Sequence, residues 1–207
     1  MNASRAIRAI HAKLDGWVRV EQVHRVPGRS LQMILGVAAG RRGPLRETWL
    51  VTCRGVRELC LTDLDGGGLQ LWPADHPAAR QYSDPTASLT CEPTDLRAAV
   101  GALYEAHAST VDDWVPFEQY LGFEVPAPST LERLRARGPL FLMNRYARAL
   151  RAIGIACELS PARRRRSRRP ACRVLHFGNS YIVAEEFRME AIPIRSRHEV
   201  GRTPGPA

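Results

Sequence analysis

Thr48–Trp72 reads "TWLVTCRGVRELCLTDLDGGGLQLW". Trp49, Val51 and Cys53 fall on every second position, the period of a half-buried strand. Gly55 breaks the alternation, and Val56–Leu64 resumes it. Asp65–Gly68, "DGGG", tolerates positive φ and predicts a hairpin that returns through Leu69–Trp72. Strand, turn and strand in such close succession predict antiparallel pairing.

The same pattern extends to both sides. Upstream, Trp17–Val26 alternates with Val18 and Val20 on one face, Pro27–Gly28 marks a turn, and Leu31–Val37 follows before a loop at Gly40–Pro44. Ahead of these, Ile7, Ile10 and Leu14 repeat at helical spacing, with Arg5, Arg8 and Lys13 off the stripe, and Gly16 can end that helix. Downstream, Pro73–Pro85 contains three prolines and predicts a loop, and Thr86–Cys91 predicts a last strand. Residues 1–92 thus read as a helix and an antiparallel β-meander.

The next segment, 93–157, reads as mainly helical. Thr94 can cap a helix with Leu96, Val100, Leu103 and Val111 on one stripe. Pro116 suits the first turn of a short helix that turns Phe117, Tyr120 and Leu121 inward. Ser129 and Glu132 form a capping box for a third helix, ended by Gly138. Leu142, Tyr146, Leu150 and Ile153 mark the buried face of a fourth, stopped at Gly154. An Arg-rich loop follows at 158–171. Residues 172–192 predict a hairpin around Gly178–Asn179 that returns to the sheet, with strand and helix both open after Val183. Strands first, helices second and a late hairpin predict an α+β fold. The reading sets one domain over 1–192 and a disordered tail over 193–207, which is polar and aperiodic.

The chain has 207 residues, 44% of them hydrophobic and 25% charged, near the globular average. No apolar h-region follows Met1, so a secretory signal is not expected. The longest apolar run, Met33–Ala39, is far short of the roughly 20 residues of a membrane span. The five cysteines are Cys53, Cys60, Cys91, Cys157 and Cys172, an odd set without CxxC, as expected of reduced thiols in a bacterial-type cytoplasmic protein. The net charge is +9, and its largest source is Arg163, Arg164, Arg165, Arg166, Arg168 and Arg169. The tail adds Arg195, Arg197 and Arg202 against Glu199, so the remainder is near neutral.

No phosphate-loop, zinc-protease or nucleophile-elbow motif is present. "DLDGGG" at Asp63–Gly68 opens like a calcium loop, but Ala74 stands where the closing glutamate belongs, so a turn is expected. "DHP" at Asp75–Pro77 is the most enzyme-like fragment: His76, with Asp75 and Asp84 near it in sequence, is the candidate general base. It brings no recognisable nucleophile or oxyanion donors, and a plain loop is the expectation. His176 is expected in a strand with Cys172 and Val174 on its face. Cys53 and Cys60 are candidates to face each other across neighbouring strands. Glu185 and Glu186 are consecutive and would point to opposite faces of a strand. No metal or cofactor is expected.

Two binding elements remain. Trp114, Phe117 and Tyr120 are expected in a core, with a partner surface as the alternative. The arginine run would suit a nucleic-acid backbone or an acidic partner, yet no aromatic residue interleaves with it to stack bases, and an exposed loop is the expectation. These features favour a non-enzymatic protein that acts by binding another protein. A nucleic-acid-associated protein using Arg163–Arg169 is the first alternative, and an enzyme centred on the His76 loop is the second.

Overall fold

The computed structural model of the chain describes residues 3–13, 17–124, 133–161 and 170–193. It begins with α1 (Ala3–Lys13), β1 (Trp17–Val26), β2 (Ser30–Ala38), β3 (Leu45–Arg54), β4 (Glu58–Cys60), β5 (Asp65–Gly66) and β6 (Gln70–Trp72). It continues with α2 (Pro77–Ser83), β7 (Thr86–Cys91), α3 (Leu96–Val111), two 3-10 turns at Asp112–Trp114 and Phe117–Tyr120, and β8 (Leu121–Glu124). The remaining elements are β9 (Arg133–Pro139), α4 (Leu140–Ala152), β10 (Cys157–Pro161), β11 (Arg173–Phe177), β12 (Ser180–Ala184) and β13 (Glu186–Ile192). The recorded strand pairings are antiparallel and the class is α+β, as expected. Among the described residues no helix is long and apolar enough to cross a membrane.

By its contacts the chain divides into two compact units, Met1–Trp72 with Arg173–Ala207, and Pro73–Cys172. The first holds two sheets, ordered β13-β3-β2-β1-β5 and β4-β12-β11-β6. Period-two alternation on β2 sends Leu31, Met33, Leu35 and Val37 into the core. Register aligns Met33 with Val51 and Val51 with Met189, a buried row across three strands. Ala6, Ile7 and Ile10 of α1 share this core with Leu175, Phe177 and Ile182 of the second sheet, so Ile7 and Ile10 of the expected stripe lie on the face that α1 buries, and Leu14 lies outside the described residues.

The "DGGG" hairpin is not formed. β4 and β6 do not pair with each other; β12 and β11 lie between them, so the late hairpin wedges into the place expected for a local turn. Local pattern cannot see a strand pair that arrives a hundred residues later. The glycines have a different use. A Cβ on Gly66 would sit 2.8 Å from the Gly178 Cα, and one on Gly67 would sit 3.1 Å from the Trp17 ring. Gly178 N–H donates to the Gly67 carbonyl at 2.9 Å. After Val183 the chain stays extended, because β13 completes the first sheet against β3.

The second unit holds a sheet ordered β10-β7-β9-β8 with α3 and α4 against it. β7, expected as the last strand of the meander, is an interior strand here. The expected third helix is overturned: Ser129–Glu132 lie outside the described residues, and 133–139 is strand β9. Its sequence "RLRARGP" alternates, burying Leu134, Ala136 and Gly138 and exposing Arg135 and Arg137, a period that the capping box obscured. Gly138 does not end a helix; a Cβ there would lie 2.7 Å from the Tyr120 ring, so its bare backbone admits that ring. The Pro73–Pro85 loop contains the short α2, with Pro77 at its first turn. Asp95, not Thr94, caps α3, accepting from Ala98 N–H at 3.0 Å. Ile153 is not on the buried face of α4 but follows its end and is 47% exposed. Of the loop expected at 158–171, residues 158–161 belong to strand β10, and the arginine run, like 194–207, lies outside the described residues.

Candidate functional site

His76 is the residue that starts α2. Its backbone is extended (φ −60°, ψ 136°), and its Nδ1 accepts from Ala78 N–H at 3.3 Å. Its carbonyl accepts from Ala79 and Arg80 N–H at 2.9 and 3.0 Å. For Nδ1 to accept, the neutral ring must carry its proton on Nε2. The ring meets Trp114 edge-on, centroids 5.4 Å apart. The candidate base is thus a helix cap and the packing partner of an indole. His76→Ala should cost about 0.5–1 kcal/mol, the worth of a weak cap, measured as a shift in the urea midpoint of the Pro73–Cys172 unit.

Asp84 is also engaged. The Arg80 guanidinium donates to it through Nη2 at 2.7 Å and Nε at 3.4 Å. The same guanidinium lies 4.0 Å from the centroid of the Phe141 ring, a cation–π contact. Beside this pair, Asp75, Arg80, Ser109, Thr110, Phe141 and Arg145 line a cleft of about 260 Å³. The Ser109 and Thr110 hydroxyls donate to the Ala106 carbonyl at 3.2 and 2.6 Å, which leaves their lone pairs as acceptors. Arg145, on α4, is exposed.

The structure therefore joins two features that sequence separates, the His76 turn and the Trp114–Tyr120 aromatics. Among the latter, Tyr120 is core at 8% exposure, while Trp114 and Phe117 are half-buried. Phe117 leads to residues that the sequence reading passed over. Its ring lies 5.3 Å from that of His107 and 5.4 Å from that of Tyr104. His107 is buried on α3, with Nε2 2.7 Å from the Val115 carbonyl and Nδ1 2.7 Å from the Tyr146 hydroxyl. A carbonyl can only accept, so Nε2 donates, and in the neutral ring Nδ1 accepts a hydrogen bond from the Tyr146 hydroxyl. Burial, with Tyr120 nearby, raises the Tyr146 hydroxyl pKa. The available signal was spacing: Leu103, His107 and Val111 recur every four residues. Tyr104 lies off that stripe and is 58% exposed.

The other candidates lie in the first unit. His176 stacks on Trp72 with centroids 4.3 Å apart, and burial lowers its pKa although the Gly178 backbone bond opposes this. Tyr181, opposite His176, donates to Glu58 at 2.7 Å; burial first and then that carboxylate raise its pKa. Cys53 and Cys60 do not face each other. Cys53 sits between Leu31 and Phe187 in the first sheet, its thiol pushed up to about 12 by burial, whereas Cys60 lies opposite Tyr181 in the other sheet. The "DLDGGG" carboxylates have protein donors: Asp63 accepts from Asn179 Nδ2 at 2.8 Å, and Asp65 accepts from the Trp17 indole. Among the described residues no cluster of three or more His, Cys, Asp and Glu could hold a metal. Arg163, Arg164, Arg165, Arg166, Arg168 and Arg169 lie outside the described residues.

No protein-family model, curated protein or solved structure matches this chain. The reading of function rests on its own residues.

Proposed function

We propose that the chain works by binding another protein, through the part of the Pro73–Cys172 unit that carries Tyr104, Phe117 and Trp114. The observation that carries this reading is Tyr104: the residue is 58% exposed, and its ring packs edge-on against Phe117, which itself rests on the buried His107. An exposed aromatic held by a rigid stack loses little entropy on docking and offers a large apolar area, the usual make-up of a hot spot. The Arg145 side of the cleft offers a cation for a carboxylate on the partner. The roles of His76 and Asp84 are consistent with this reading, since His76 Nδ1 caps α2 and Asp84 pairs with Arg80. The five free cysteines are consistent with a reducing cytoplasm.

The test uses the native partner, recovered by cross-linking through a photoreactive residue at 104 and then purified. Tyr104→Ala should leave stability within about 0.5 kcal/mol, as for a surface position, and should weaken the partner by at least about 2 kcal/mol. Unchanged affinity would reject this surface. Salt-dependent binding of mixed-sequence DNA or RNA that vanishes when Arg163–Arg169 is deleted would instead favour a nucleic-acid role.

A further inference from the structure

We infer that Cys91 and Cys157 are a peroxide-oxidised pair that closes a reversible disulfide across strands β7 and β10. The two residues stand directly opposite each other in an unshifted ladder that continues through Thr90–Glu158, Leu89–Leu159 and Ser88–Ser160. Opposed residues in an antiparallel pair share one face, with Cα atoms about 4.5 or 5.5 Å apart. Both values fall inside the roughly 4.4–6.8 Å that a disulfide spans. β10 is an edge strand, free to adjust the small amount a bridge requires. Among the described residues no other ladder offers such a pair, since Leu31 and Phe187 flank Cys53, and Tyr181 faces Cys60.

The two thiols are not equivalent. Cys91 is 6% exposed, and its thiol is pushed up to about 11 by burial, with Cys157 nearby adding to the shift. Cys157 is half-buried at the start of the edge strand, and its thiol donates only weakly, to the Ala147 carbonyl at 3.7 Å. Cys157 is therefore the thiol that peroxide reaches first. Its thiolate attacks one oxygen of hydrogen peroxide, the O–O bond breaks, and the departing hydroxide is protonated to water, leaving a sulfenic acid on Cys157. Cys91, deprotonated, then attacks the Cys157 sulfur. The S–S bond forms, the S–O bond breaks, and hydroxide again leaves as water. Two thiols lose two electrons and two protons, and one peroxide becomes two waters. A thiol reductant reverses the step by exchange.

The full-length protein, reduced and then freed of reductant, is treated with hydrogen peroxide, alkylated and mapped by mass spectrometry without reduction. The expected result is loss of two of its five alkylatable thiols and a peptide joining Cys91 to Cys157, lighter by about 2 Da than its two reduced halves together. Dithiothreitol should restore all the thiols. Cys157→Ser should leave Cys91 alkylatable at the same peroxide dose; should that variant not fold, the wild-type map still decides. Bridges to any other cysteine, a covalent dimer, or a full thiol count after peroxide treatment would each overturn the inference.

Discussion

Tyr146→Ala is expected to cost the Pro73–Cys172 unit about 3–5 kcal/mol, the range for deleting a fully buried aromatic side chain. Tyr146 has no exposed surface and packs near Phe117 and His107. The substitution opens a cavity where α4 packs against α3. It also removes the hydroxyl that donates to His107 Nδ1, leaving that nitrogen buried and unsatisfied, a further penalty of about 1–3 kcal/mol if nothing rearranges. Tyr146→Phe isolates this second effect, because it keeps the ring and loses only the hydroxyl. Urea unfolding followed by hydrogen exchange of the α3 and α4 amides reads this unit, because the emission of its one tryptophan, Trp114, overlaps that of Trp17, Trp49 and Trp72 in the other. A midpoint within about 1 kcal/mol of wild type for Tyr146→Ala would contradict the burial described.

Gly66→Val is the comparable lesion in the first unit. The added Cβ would fall 2.8 Å from Gly178 Cα and 2.9 Å from its nitrogen. Both neighbours are backbone, so no flexible side chain can yield, and the Gly178–Gly67 hydrogen bond lies on the same contact. Overpacking against side chains costs about 1–3 kcal/mol; against fixed backbone the loss should exceed about 3 kcal/mol. Hydrogen exchange should show β11 and β12 losing protection first. Gly68→Ala is the control: a Cβ there meets open space, so only the strain of φ +72° remains, worth about 1 kcal/mol.

These two positions also show what the sequence made legible. The class, α1 with Ile7 and Ile10 inward, strands β1 to β3 and the 173–184 hairpin follow from period and turn chemistry over short windows, and the structure contains them. What failed was long-range. "DGGG" carries the composition of a hairpin turn, yet Gly66 and Gly67 are required by Gly178 and Trp17, and no local rule contains those contacts. β9 was hidden by a capping-box match that outweighed the plain alternation of "RLRARGP". The candidate site was legible in pieces. Trp114, Phe117 and His76 stood out by type, but the contact between His76 and Trp114, and the roles of Tyr104 and His107, required the packing of α2, α3 and the 3-10 turns.

The wedge of 173–184 between β4 and β6 also sets a schedule for biosynthesis. The Pro73–Cys172 unit is contiguous and can close as soon as Cys172 clears the ribosome. The first 72 residues cannot. Their smaller sheet lacks its two inner strands until the intervening hundred or so residues have been translated, roughly 5–20 s later at ordinary elongation rates. Through that interval β4 and β6 each present an open edge, and open edges invite pairing with the wrong chain. The earliest part of this protein to be made is therefore among the last to be finished, and its vulnerable period is set by translation as well as by stability.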